Sequence, residues 1–418
     1  MKTLLANPAS LVTVNTNGKN FKRGKDLSQI ELLHDHSVVI ENDLIKDIIP
    51  NPSANLTNYD EVIDVTGKTV LPGLVECHTH TAFAGSRANE FRQKLSGTSY
   101  EEIAKQGGGI NTTVSAVCAS SFEELVKIIK PRIENFISQG ITTLEIKSGY
   151  GLDFENERKL LQLINFLNEI YPIDIVSTFL GAHTFPPEYK NNHEGYVDEI
   201  INKMIPHFAE QKLAEFCDGF CESTAFSAYE IDKIFSAAKS HGLKLRLHTE
   251  QFNTIGGLDI ALKHQAISVD HLEVIKEIDI PKLGNAETAA VLLPGVSFFL
   301  NYGYAPAREI IDQNAIVALA TDYNPGSSHI SSLALIMSLA ALKMKMRIEE
   351  TISAVTINAA KVLCREKEVG SIEIGKKADF AVFDTNDYAD IVYTIGRNLN
   401  CRTIKDGKVI FKAEKAFT

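Results

Sequence analysis

From residue 71 onward the chain repeats one pattern: a short apolar run rich in β-branched residues, then in most cases an amphipathic segment at helical spacing. GLVECHTH, ITTLEIKSGYG, DIVSTFLGAH, EFCDGF, KLRLHTE, AISVDHL, TAAVLLPG and AIVALATD read as eight strands. SSFEELVKIIKPRIENFISQG, ENERKLLQLINFLNEIY, AYEIDKIFSAAKSHG and GGLDIALKHQ read as helices between them. Strands that are apolar throughout need cover on both faces, as in parallel α/β sheets. Eight of them predict an α/β fold closed as a (β/α)8 TIM-type barrel over residues 71–365. A doubly wound sheet would use fewer strands and open on a glycine-rich phosphate turn, whereas this first strand ends in histidines.

The two ends read differently. SLVTVNT, SVVIEND, LIKDIIP and VIDVTGKTV before residue 71, and SIEIGKKADFAVFD, DIVYTIG and CRTIKDGKVIF after residue 365, are short β-type segments with polar turns between them. Neither end is long enough to close a core alone. Residues 1–70 and 366–418 are therefore expected to pair into one small β-sandwich domain.

Composition narrows the class of ligand. With 44% hydrophobic and 23% charged residues the chain is ordinary globular material, and its formal charge is −11. No Lys/Arg stripe interleaved with aromatics is present, so nucleic acid and anionic membrane are poor partners and a small molecule is the better one. The N-terminal MKTLLANPASLVTVNTNG is too short and interrupted for a signal-peptide core, and no run of about 18 apolar residues offers a transmembrane span. The six cysteines form no CxxC pair, which predicts reduced thiols in a cytoplasmic protein. Cys217 and Cys221 flank DGF with no second pair nearby, a poor start for a metal site.

Active sites of such barrels gather at the C-terminal ends of the strands. There the chain places His78 and His80, then Lys147, Ser148 and Tyr150, then His183, then His248, Glu250 and Gln251, then Asp270 and His271, then Asp322 and Asn324. Five of the twelve histidines sit at strand ends, and His78 and His80, two apart on a strand, share a face. His78, His80, His248 and Asp322 can supply three imidazole nitrogens and one carboxylate oxygen to a divalent ion with a position left for water. A proton acceptor is still needed. His271 and Glu250 or Gln251 are placed to serve, although a glutamine can only orient.

LPGLVECHTHTAFAG, LRLHTEQF, VDHL and ALATDYNPGSS together resemble the metal-dependent amidohydrolase superfamily. GSRANEF, QGGGINTTVSAV, TTLEIKSGYGLD, TFLGAHTFPPEY and TDYNPGSSH resemble one branch of it over nearly the whole chain. Members of that branch hydrolyse 4-imidazolone-5-propanoate to N-formimidoyl-glutamate in histidine degradation. The resemblance implies one zinc or iron ion on His78, His80, His248 and Asp322. It implies that Arg87 holds the propionate carboxylate, that Tyr100, Tyr150 and His183 line the pocket, and that Asn324, Gly326 and Ser327 contact carboxylate and ring. It also implies a homodimer. Some members carry Glu three residues after the strand-five histidine, where this chain has Gln251, and Glu250 beside it would face the other way on a continuing strand. The expected proton carrier is accordingly His271 assisted by Asp322, with Gln251 binding the ring. Two-metal relatives bridge their ions with a carboxylated lysine from a middle strand, whereas here the third strand ends in GAH and Lys147 adjoins a Ser-Gly-Tyr loop, so a single ion is expected. A deaminase of the same superfamily shares the ligand pattern but not Arg87 and its accompanying segments. A silent scaffold would be expected to have lost a ligand. QGGGI is a candidate for movement over the substrate.

Overall fold

A computed structural model describes residues 1–51, 56–97 and 108–414. Eight parallel strands form one sheet in sequential order: β1 (Leu74–Glu76), β2 (Ile141–Lys147), β3 (Asp174–Ala182), β4 (Phe216–Cys221), β5 (Lys244–Thr249), β6 (Ser268–His271), β7 (Ala289–Leu292) and β8 (Val317–Leu319). The first and last strands meet beyond their ends. Thr79 bridges Tyr323 in parallel, the Asp322 amide donates to the His78 carbonyl at 3.1 Å, and the His80 amide donates to the Tyr323 carbonyl at 3.0 Å. The barrel is thus closed by the segments that carry the site residues.

The flanking helices form for local reasons. Ser121 caps Phe122–Ser138 in a capping box with Glu124, and Ser227 does the same with Glu230 for Ala228–Ser240. Their buried faces, Leu125, Ile129, Ile133 and Phe136 in one and Ile231, Ile234 and Phe235 in the other, join the main core around the barrel.

Strands from the two ends build two further sheets. One runs in the order Leu44–Pro50, His36–Glu41, Lys2–Ala6, Glu61–Asp64; the other runs Lys408–Lys412, Asn400–Lys405, Phe380–Phe383, Thr69–Pro72, Ser10–Val12, Leu32–Leu33. Leu5, Val38 and Ile63 of the first sheet share a buried cluster with Leu11, Val70, Phe380 and Ile404 of the second, so the sheets form a sandwich fed by both termini. Gly73 is the crossing point from sandwich to barrel. A Cβ there would lie 2.2 Å from the Thr142 hydroxyl, so only glycine lets the chain pass β2 this closely.

One terminal segment departs from the sequence pattern. DIVYTIG, β-type by composition, instead contributes its first four residues to the helix Ala389–Tyr393. The Asp387 carboxylate accepts the Ala389 amide at 2.9 Å, and the Ser338 hydroxyl donates to the Val392 carbonyl at 2.6 Å. The Asp387 hydrogen bond and the packing of this helix, with Ile391 and Val392 buried, against the helix Leu333–Met344 outweigh β propensity. All six cysteines are unpaired, and no helix of the described residues is long and apolar enough to cross a membrane.

Candidate active site

The C-terminal mouth of the barrel holds a cavity of about 450 Å³. At its floor, one ring nitrogen each from His78, His80 and His248 lie within 4.8 Å of one another. His78 is oriented by Asp270, which accepts from Nδ1 at 2.6 Å, and His248 by Asp218, which accepts from Nδ1 at 3.0 Å. Those bonds fix the tautomer and leave each Nε2 as a bare acceptor. The Asp322 Oδ1 sits 3.3 Å from His78 Nε2 and 3.2 Å from His80 Nε2.

His78 Nε2 and Asp322 Oδ1 are fully buried and make no hydrogen bond. Acceptor facing acceptor in a buried place is costly unless something positive lies between them. Burial pushes the His80 and His248 rings below their ordinary values, which favours the neutral, ligating form. The donor set therefore fits a divalent cation.

Around this floor the backbone is bent to aim side chains. Glu250, His271, Leu272 and Asp322 have φ of 57°, 86°, 69° and 48°, sparsely populated values for non-glycine residues. At His271, the last residue of β6, and at Leu272 the backbone turns and the ring lines the cavity, with Nδ1 3.4 Å from Glu273 Oε1. Burial opposes charge on that ring, yet Glu273 outweighs it and raises His271 above its ordinary value. At Glu250 the turn ends β5, so Gln251 reaches the cavity while Glu250 is buried away from it. The Gln251 amide donates to the Tyr302 hydroxyl at 3.1 Å.

The side wall carries His183, stacked on His80 with ring centroids 5.2 Å apart, and Tyr150 beside it. His183 Nδ1 pairs with the Gly149 carbonyl at 2.9 Å, and burial followed by the nearby His80 pushes the ring down to about 3, so it is neutral. Arg87, also on the cavity lining, donates through Nε to Glu90 at 2.8 Å, and Glu90 in turn accepts the Gly109 amide at 3.1 Å. The guanidinium packs closely against the loop after β8: a Cβ on Gly326 would be 2.0 Å from Arg87 Nη1. Asn324 stiffens that loop, accepting the Gly326 and Ser327 amides at 2.8 and 2.7 Å and donating to the Asp322 carbonyl at 2.7 Å.

Of the residues expected from sequence, His80, Arg87, Tyr150, His183, His248, Gln251, His271, Asp322, Asn324, Gly326 and Ser327 line this one cavity, with His78 buried beneath it. Tyr100 lies outside the described residues, as does part of QGGGI. Reading strand ends missed the supporting set. Asp218 lies inside β4, where an acidic residue in an apolar strand was the available signal. Glu273, Tyr302 and the cavity-lining Lys94 carried no local signal.

An eight-stranded barrel with three histidines and an aspartate converging at its mouth defines an amidohydrolase-type centre; residues 69–410 match the amidohydrolase family, and the chain belongs to it. An adenosine deaminase from Xanthomonas campestris with bound zinc superposes with a TM-score of 0.70 at 16% identity, covering 97% of this chain and 92% of that one, a likeness of fold. Curated relatives are more similar. The imidazolonepropionase of Alkaliphilus oremlandii is 44% identical over 410 residues, 97% of each chain, and that of Thermoanaerobacter pseudethanolicus is 46% identical over 375 residues, 90% of each. Within the amidohydrolases the chain belongs with the imidazolonepropionases.

Proposed function

We propose that the chain hydrolyses the cyclic amide of 4-imidazolone-5-propanoate to N-formimidoyl-L-glutamate in histidine degradation. The observation that carries this reading is a single cavity lined both by a histidine–carboxylate cluster and by a guanidinium, Arg87. Such a cavity suits a small ring bearing an anionic arm. A planar guanidinium can give a carboxylate two parallel hydrogen bonds, and Asn324, Gly326 and Ser327 shape the loop against which the arm would lie.

His78, His80, His248 and Asp322 would hold one zinc or iron ion. When bound, it supplies Lewis acidity and lowers the pKa of water toward neutrality. Lys147 does not bridge a second ion in this reading, because its ammonium is 2.7 Å from Glu145 and 2.9 Å from Asp218.

The protein's own groups do the rest. Gln251, with its Nε2 committed to Tyr302, presents its carbonyl to a ring N–H, and His183 presents a neutral Nε2 on the side wall. His271, assisted by Asp322, takes the proton from water and delivers it to the departing ring nitrogen. The balance is one water added: the carbonyl carbon gains oxygen, the carbon–nitrogen bond breaks, and the nitrogen gains hydrogen. Arg87 fixes the propionate throughout, so remote binding orients the reacting carbon. The termini, residues 1–70 with 366–418, form one unit carrying the barrel of residues 71–365, and a cytoplasmic homodimer acting on a small molecule completes the reading, on the strength of the family.

Product analysis tests it. Incubation with fresh 4-imidazolone-5-propanoate yields formimidoyl-glutamate without ammonia. Ammonia release from aminopyrimidines, with the imidazolone untouched, would make the chain a deaminase instead.

A further inference from the structure

Below the histidines, seven buried side chains form one continuous chain of polar contacts. From His78 it passes to Asp270 (2.6 Å), Arg246 (2.7 Å), Glu145 (3.2 Å), Lys147 (2.7 Å), Asp218 (2.9 Å) and His248 (3.0 Å). Every member between the two imidazoles has a side chain with 0% exposure. Two side contacts lock it further. Ser268 accepts from Arg246 Nε at 3.1 Å and donates to Asp270 at 2.6 Å, while Glu145 Oε2 accepts the amide of Thr79, the residue between His78 and His80, at 3.0 Å.

Burying five charges to hold a barrel together is poor design by energy alone, since apolar side chains of similar size would serve as well or better. Three carboxylates against two cations leave one net negative charge beneath the histidines. Its two ends terminate on the Nδ1 atoms of two different ring donors, and its middle grips the backbone between His78 and His80. A network built only for packing has no reason to end at those atoms.

We propose that Lys147 and Arg246 are positioning residues for the metal centre, holding Asp218 and Asp270 so that both imidazoles keep Nδ1–H outward and Nε2 toward the ion. The inference rests on reading the cluster as a divalent-cation site. Neither residue touches substrate or ion. Their effect passes through the two carboxylates to ring orientation and basicity, where outer-shell partners typically contribute about 10- to 100-fold in metal affinity.

The test is cobalt(II) titration of metal-stripped full-length protein, wild type against Lys147→Met and Arg246→Met, in competition with a chelator. The visible absorption of bound cobalt reports coordination, and the melting temperature of each metal-free protein is measured alongside. Wild type takes up one equivalent; both variants bind about 10- to 100-fold more weakly with an altered cobalt spectrum. Ser268→Ala, a neutral truncation that loosens Arg246 and Asp270 together, shifts affinity the same way by less and covers failure of either charged variant to fold. Variants with lowered metal-free melting temperatures but wild-type cobalt affinity and spectrum would overturn the inference, reducing the network to a structural one. Wild type that binds no cobalt would instead overturn the metal-centre reading, and the inference with it.

Discussion

At the scale of single residues, the site separates work between groups that look alike in sequence. His183 and His271 both sit at the mouth, yet one is held neutral by burial and the other raised by Glu273. The raised ring is the better proton acceptor of the two. His271→Asn is expected to lower kcat by about 10²–10⁴ with metal content unchanged, checked by steady-state kinetics beside elemental analysis. Near-normal turnover would remove His271 from the mechanism. For Arg87→Met the expected loss in kcat/KM is about 10- to 100-fold, from the ~1.5–3 kcal/mol of hydrogen bonds to a charged group, and it should vanish with a ring lacking the propionate. Gly326→Ala drives its Cβ into the Arg87 guanidinium, the mobile end of a long side chain, so KM should rise while the melting temperature holds. The convergence of His78 and His80 was legible because residues two apart on an extended segment share a face. Asp218 and Asp270 became supports only through a fold that carries them to the Nδ1 atoms of residues 30 and 192 positions away.

At the scale of elements, periodicity located all eight barrel strands, because both faces of each are buried and the apolar runs are continuous. What it could not locate is where a strand stops turning its side chains in alternation. β5 ends at Thr249 and the chain turns through the left-handed region at Glu250, which is why Gln251 reaches the cavity. The first four residues of DIVYTIG became helical for the same kind of reason, a long-range contact overriding local preference. Glu250 itself is buried in that turn with one carboxylate oxygen unpartnered, and burial raises it to about 7. The unfolded chain releases this proton near the ordinary carboxyl value and the folded chain near 7, so the group's contribution to stability falls as pH rises between them and is level above. Denaturation midpoints measured from pH 4.5 to 8 should show that decline in wild type and lose it in Glu250→Gln. An identical profile in both would place the titration elsewhere.

At the scale of the molecule, the sandwich and the barrel are joined by charge as well as by the strand crossing at Gly73. Lys405, in the strand Asn400–Lys405, reaches Asp379 at 2.9 Å and Asp174 of β3 at 2.9 Å. Burial opposes the Lys405 charge, but Asp379 and Asp174 outweigh it and raise the amine above its ordinary value. Removing one partner of such a buried pair strands the other, so Lys405→Met is expected to destabilise by about 3–5 kcal/mol in urea unfolding, with kcat of the folded fraction intact. That both termini would meet was readable from their shared β character. Which strands pair was not, because short strands with polar turns admit many registers until the barrel fixes where Pro72 stands. The proposed reaction needs one cavity to join a floor that would hold the ion to a wall that would hold the carboxylate. The most direct test follows the ultraviolet absorbance of freshly generated 4-imidazolone-5-propanoate with metal-replete and chelator-stripped protein side by side. Rapid loss of ring absorbance with replete protein, abolished by stripping and restored by added zinc or iron, is the predicted result; equal turnover by the stripped protein, or none by either, would contradict it.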